Sequence, residues 1–121
     1  MQRNVTLHGI RNCDTMKKAR AWLDAAGIGY RFHDYKVDGI DPATLQGWCA
    51  RAGWERLLNR SGTTFRKVVA EEQRAAVDSA GAQALMLEHP SMIRRPVLDI
   101  DGRLLVGFDA AEYARAFAPG D

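Results

Sequence analysis

The sequence predicts a mixed α/β domain, and three observations carry that prediction. A short β-prone run, a helical period and a second alternating run make a β-α-β unit at the start; a hairpin signal lies near the other end; and the last segment is helical again. The 121 residues are 46% hydrophobic and 26% charged, which is the composition of one compact globular domain. A domain of this size buries roughly two-thirds of the surface its unfolded chain exposes, enough to fold without disulfides or a structural metal.

Each element has a local cause. Val5-Thr6-Leu7-His8 is β-prone and stops at Gly9. Met16, Ala19, Leu23 and Ala26 fall at helical spacing, and Gly27 follows as the C′ residue. Tyr30-Arg31-Phe32-His33-Asp34 alternates as a second strand. Asp41 and Pro42 supply an N-cap and an N1 proline, and Leu45, Trp48, Cys49 and Ala52 then form an apolar stripe ending before Gly53. From Trp54 to about His89 the chain reads as helix in pieces, broken at Ser61-Gly62 and closed by Pro90. Val97-Leu98-Asp99-Ile100 and Arg103-Leu104-Leu105-Val106 flank Asp101-Gly102, the dipeptide preferred in a type I′ hairpin turn. Asp109 with Glu112 follows capping-box logic, and Ala110, Tyr113, Ala114 and Phe117 are expected to form the apolar face of the last helix.

The resulting order is β-α-β-α, a helical stretch, then β-β-α. The first strand pair needs a parallel crossover and the last an antiparallel hairpin, so the sheet is mixed. This is the thioredoxin order, expected here as a single domain over residues 1–121 with an inserted helical subdomain at about 54–90.

Composition also narrows function. A formal charge of +2 with scattered cations argues against a polyanion binder and direct nucleic-acid contact, while leaving small anions open. The apolar runs are too short to span a membrane and the first residues lack a signal-peptide pattern, so a cytoplasmic protein without a membrane partner is expected. The two cysteines, Cys13 and Cys49, make neither a disulfide framework nor a zinc knuckle. His8, His33 and His89 lack metal-ligand spacing and no Gly-rich phosphate loop occurs, so no metal and no bound cofactor is expected.

The chemistry gathers at Cys13. It falls between the first strand and the first helix, where free backbone N–H groups and the positive end of the helix dipole favour a thiolate. Arg11, Lys17 and Lys18 add positive charge, so the thiol is expected to ionise below its ordinary value of roughly 8.5 and act as a nucleophile. The competing reading is a small residue buried at a helix start. Asn12 and Thr15 either cap that helix or orient an incoming anion, and Asp14 fits a first-turn acid. Met16 stands where a dithiol oxidoreductase carries its second cysteine, and Cys49 lies on an apolar stripe, so the resolving thiol is expected from outside the chain. Adjacent Arg94 and Arg95 precede Pro96; in extended backbone they point to opposite sides, and Arg95 is the one expected to face the cysteine. The Arg95-Pro96 bond can be cis or trans. Arg60 and Arg66, beside Gly62, are weaker anion-binding candidates.

Three separated motifs, Gly9-Ile10-Arg11-Asn12-Cys13-Asp14-Thr15, Leu57 through Lys67, and His89-Pro90-Ser91-Met92-Ile93-Arg94-Arg95-Pro96, together resemble the arsenate reductase ArsC/Spx superfamily, with the nearest likeness to its YffB branch. The resemblance runs from Val5 to Phe117. It implies a thioredoxin-like core interrupted by a helical insertion, with Cys13 matching the nucleophile, Arg95 an oxyanion arginine, and Arg60 another within one residue. The implied activity is that of a glutathione-dependent thiol reductase: Cys13 forms a mixed disulfide that glutathione, as co-substrate and with or without glutaredoxin, resolves. A true glutaredoxin-linked arsenate reductase is one alternative. The third arginine of those enzymes falls near Val106-Gly107-Phe108, where no cation exists; losing one charged donor should cost about 1.5–3 kcal/mol of oxyanion binding. The Spx branch implies another alternative, a regulator that binds the C-terminal domain of the RNA polymerase α subunit, although Met16 removes its Cys-x-x-Cys switch.

Overall fold

In the computed structural model, which describes residues 4–118, four strands form one sheet in the order β2-β1-β3-β4. They are β1 (Val5–Gly9), β2 (Arg31–Asp34), β3 (Val97–Ile100) and β4 (Arg103–Val106). β1 runs parallel to β2 and antiparallel to β3, and β3 is antiparallel to β4, as the expected order requires. Seven α-helical segments accompany them: α1 (Asp14–Ala25), α2 (Tyr35–Asp38), α3 (Pro42–Ala52), α4 (Trp54–Leu57), α5 (Thr63–Val68), α6 (Ser79–Glu88) and α7 (Ala110–Ala116). Short 3₁₀ turns occupy Glu71–Ala76 and Pro90–Met92. No described helix is long and apolar enough to cross a membrane.

The chain divides into two compact units, one made of its two ends, up to Asp34 and from Arg95, and one running from Tyr35 to Arg94. In the first unit one sheet face and two helices share an apolar core. Val5 and Leu7 of β1, Leu98 and Ile100 of β3 and Leu105 of β4 pack with Met16, Ala19 and Leu23 of α1 and Tyr113 and Ala116 of α7. Period-two alternation along β1 puts Thr6 and His8 on the other face, half-buried. The hairpin turn takes the expected form: Asp101 and Gly102 have φ of 51° and 96°, the double positive φ of a type I′ turn. Asp109 caps α7 by accepting from the N–H groups of Ala111 and Glu112. The buried face of α7 is Tyr113 with Ala116, beside half-buried Phe117, whereas Ala110 and Ala114 are exposed. A helix of only two turns has one side to bury, and the Tyr113 ring, edge-on to Trp22 and Phe108, decides which.

The second unit is built of helices and short connections with one antiparallel bridge, Leu58 to Ile93, and begins at Tyr35, ahead of the Trp54 expected to start the insertion. Its buried residues include Tyr35, Leu45, Trp48, Leu57, Leu58, Phe65, Met86, Met92 and Ile93. Asp41 caps α3 as expected, accepting from Thr44 N–H at 3.1 Å. Backbone pairing closes this unit: Asn59 N–H donates to Met92 C=O at 2.8 Å and Arg94 N–H to Leu57 C=O at 2.6 Å. The buried Tyr35 hydroxyl donates to the Ile93 carbonyl at 3.0 Å.

Two features of β1 yield predictions. A Cβ on buried Gly9 would overlap the sulfur of Met16, which is fully buried in α1. Gly9→Ala should therefore destabilise the protein by about 1–3 kcal/mol through overpacking, read from denaturant unfolding. His8 stands beside His33 with ring centroids 5.4 Å apart. Burial and the His33 charge lower its pKa to about 4, against an opposing pull from Asp99. The unfolded chain then binds a proton that the folded chain refuses, so stability should fall as pH drops from about 6.5 toward 4. The slope this adds is at most about 1.4 kcal/mol per pH unit, and His8→Gln should flatten it in pH-dependent unfolding curves.

Candidate functional site

The ends of β1 and β3 build the site. Because the strands are antiparallel, with His8 opposite Val97, the loop that leaves β1 and the segment that enters β3 lie at the same end of the sheet. The first carries Cys13 and the second Arg95, and the Arg95 Nε–H donates to Cys13 Sγ at 3.4 Å. Arg95 is half-buried and its bond to Pro96 is cis. Arg94 goes elsewhere: its Nε–H donates to the Arg56 carbonyl at 3.0 Å, within the second unit.

Several local devices hold the cysteine loop. Gly9 gives Met16 room to pack at the base of the loop. The Arg11 N–H donates to the carboxylate of buried Asp34 at 3.2 Å, and the parallel register that puts Asp34 beside Gly9 explains why this acid reaches the loop. Asn12 turns the chain with φ of 69°, a left-handed conformation that asparagine tolerates better than most residues. Cys13 is then itself the N-cap of α1, extended at φ −98° and ψ 135°, while its carbonyl accepts from the Lys17 N–H.

This placement assigns roles by position. Asn12 is exposed and precedes the cap, so its contribution to the loop is the turn. Thr15 lies in the first turn, and its backbone N–H, with that of Met16, acts on the cysteine sulfur. Arg60 belongs to the second unit, where its guanidinium lies 5.8 Å from the centre of the Trp54 ring. Asp34 is a site-organising residue that sequence patterning did not single out; an acid at the end of a β-strand is its only sequence signal.

Electrostatics separates the two sulfurs. Partial burial pushes the Cys13 thiol up, but the Arg95 hydrogen bond, the N–H groups of Met16 and Thr15 and the Arg95 charge together outweigh it, and the net shift is downward. Cys49 is half-buried on α3, and burial alone pushes its thiol up. Of the two sulfurs, only that of Cys13 is shifted toward the thiolate form. Among the described residues no group of three or more His, Cys, Asp or Glu is arranged to hold a metal ion.

The rate of Cys13 alkylation by iodoacetamide should rise with pH to a plateau whose midpoint lies below the ordinary thiol value. Arg95→Gln removes a donor and a charge that favour the anion, so its midpoint should move to higher pH. A midpoint that does not move would show that the arginine does not tune the sulfur.

Comparison with known proteins places this geometry in a family. Residues 8–116 match the ArsC family. The solved structure of a YffB protein is 56% identical, covering 95% of this chain and 100% of its own, with a TM-score of 0.89. An arsenate reductase (ArsC) related protein from Brucella melitensis is also 56% identical, covering 95% of each chain, with a TM-score of 0.78. An uncharacterized protein of Haemophilus influenzae is 40% identical over 114 residues, 94% of this chain and 99% of its own. A global transcriptional regulator Spx of Streptococcus agalactiae is 27% identical over 119 residues, 97% of this chain and 85% of its own. With its mixed sheet, its thioredoxin-like fold and this match over nearly its whole length, the chain belongs to the ArsC family.

Proposed function

We propose that this protein is a cytoplasmic thiol reductase that works with glutathione. The observation that carries the reading is the Arg95 Nε–H on Cys13 Sγ at a helix N-cap, an arrangement that favours a thiolate at the surface of the fold. The Cys13 thiolate attacks one sulfur of a substrate disulfide, a Cys13–substrate disulfide forms, and the other sulfur leaves as a thiolate. Attack by glutathione thiolate on the substrate-side sulfur would return Cys13 and pass the substrate on as its glutathione disulfide. Attack on the Cys13-side sulfur would instead expel the substrate as a thiolate and leave Cys13 glutathionylated, and a second glutathione thiolate would then return Cys13 and release oxidised glutathione. Either route balances without metal or nucleotide.

The second thiol has to come from outside because Met16 stands three residues after Cys13 and burial pushes the Cys49 thiol up. Arg95, already at the sulfur, supplies the charge that would attract an anionic group of the incoming partner, such as a glutathione carboxylate. The cysteine, this arginine and the helix start suffice for the chemistry without Arg60. The nearby Val106-Gly107-Phe108 segment holds no cation, which argues for disulfides over arsenate as substrate.

A partner-binding role is the second reading, and the Spx relative named above favours it. On that reading the domain would bind the RNA polymerase α subunit, with Cys13 unused.

Incubation with oxidised glutathione followed by intact mass and peptide mapping separates the two. The reductase reading expects one glutathione, on Cys13 and not Cys49, removed by excess reduced glutathione; Cys13→Ser should abolish both adduct and turnover. Arg95→Ala should chiefly raise the Michaelis constant for glutathione. A protein that takes no glutathione on Cys13 yet captures the polymerase α C-terminal domain would be the regulator.

A further inference from the structure

Two arginines besides Arg95 gather on one aromatic ring, that of Phe32. The Arg20 guanidinium lies 4.6 Å from the centre of the Phe32 ring, and the Arg11 guanidinium lies 5.8 Å from the same centre. Both distances are within cation–π reach. The Arg20 Nε–H also donates to the Tyr30 hydroxyl at 3.2 Å, which fixes the direction of its side chain. The carboxylate of Asp34 takes the backbone N–H of Arg11. Among the described residues neither guanidinium is paired with a carboxylate.

This pair belongs to the cysteine's side of the fold. Phe32 pairs with buried Leu7 in the sheet, so its ring lies on the face that α1 covers, and Cys13 and Phe32 are both partly buried against the same core. Arg11 is two residues before Cys13 in the loop. Arg20 is seven residues after it, about two helical turns, so it returns to the same side of α1. Helical side chains lean toward the N-terminus, which brings Arg20 back toward the cysteine. Two like charges gathered on one ring repel each other, and the ring face and a neutral hydroxyl offset only part of that. An anion bound beside the ring would meet both charges, offset that repulsion and gain charge-assisted hydrogen bonds.

We infer that Arg11 and Arg20, held over Phe32, form a second anion-binding subsite that takes a carboxylate of the thiol which exchanges with Cys13. This rests on the reductase reading, in which that thiol is glutathione, a tripeptide with two carboxylates. Arg95 at the sulfur and the Arg11–Arg20 pair farther along the rim would then meet different ends of one ligand.

The test is the rate at which Cys13 is converted to its mixed disulfide. In that step the thiolate forms a bond to one sulfur, the existing disulfide bond breaks, and the second sulfur leaves as a thiolate. Oxidised glutathione is compared with uncharged 2-hydroxyethyl disulfide, on the full chain, for wild type, Arg11→Gln, Arg20→Gln, the double Gln variant and the double Lys variant. The double Gln variant should react about 10-fold more slowly with glutathione disulfide, equivalent to about 1.4 kcal/mol, and within about twofold of wild type with the uncharged disulfide. The double Lys variant should recover part of the loss. Added salt should slow the wild type toward the double Gln rate.

Arg11→Gln leaves the Arg20–Tyr30 bond intact, so it reads the charge even where Arg20→Gln disturbs the fold. Equal slowing with both disulfides would overturn the subsite, because the arginines would then act on the sulfur or on the fold. Unchanged rates with glutathione disulfide in all variants would also overturn it while leaving the reductase reading in place. A wild-type protein that reacts with the uncharged disulfide but not with glutathione disulfide would instead overturn the glutathione reading, and the subsite with it.

Discussion

The contact between the Arg95 guanidinium and the Cys13 sulfur organises the rest of the structure, because its two residues lie 82 positions apart and only the sheet can bring them together. Antiparallel pairing of β1 with β3 does so: one strand ends where the other begins. Pro96 is tied to the far hairpin strand as well, since its carbonyl accepts from Gly107 N–H at 2.8 Å. Successive residues of an extended segment point to opposite sides. That alternation sends Arg95 to the thiol and leaves Arg94 bonded to Leu57 and Arg56.

The loop that presents the sulfur is over-determined in a useful sense. Its base is packed by Met16 on Gly9, its middle is tethered by Asp34, and its turn is made by Asn12. Each device fixes backbone and leaves the cysteine side chain to meet its partners. The contrast with Cys49 shows what this achieves. Both sulfurs are half-buried and both meet a desolvation cost, but Cys49 has only that cost and its thiol is driven up. At Cys13 a guanidinium and two backbone N–H groups reverse the sign. Local donors, and not exposure alone, decide which cysteine can act.

Most of the architecture was legible because it rests on short-range patterns. Gly27, Asp41-Pro42, Asp101-Gly102 and Asp109 each mark a boundary through local backbone chemistry, and the structure uses each of them so. Cys13 was legible as a lone thiol at a strand-to-helix junction. What escaped was long-range or short. The Tyr35–Ile93 bond spans 58 residues and the Arg11–Asp34 bond 23, and no period in the sequence encodes either. α2 is four residues long, too short for a helical period to register. The face of α7 was misread at Ala110 and Ala114 because alanine patterning carries little information; aromatic packing around Tyr113 sets it. The two arginines over Phe32 come from a loop and a helix and meet on a strand residue, so no one-dimensional reading would gather them.

Met16 ties the packing to the chemistry. A cysteine there would give the loop an internal partner and make the chain a self-sufficient dithiol reductant. Methionine instead fills the core beneath the loop, and its neighbour across the gap is a glycine that has no room for a Cβ. The position is committed to packing, so on the proposed thiol-reductase reading the electrons needed to free a disulfide-bound Cys13 arrive on a separate molecule. Such a molecule has to be selected by the surface around the sulfur. The Arg95 guanidinium lies at the sulfur, and those of Arg11 and Arg20 lie within cation–π reach of Phe32 on the same side of the fold in the subsite inferred above. On that inference a thiol carrying carboxylates would suit this environment better than a neutral one, because a carboxylate placed there would offset the positive charge. On the proposed reading, the missing second cysteine and the arginines share one physical explanation, a site whose other half is an anionic thiol.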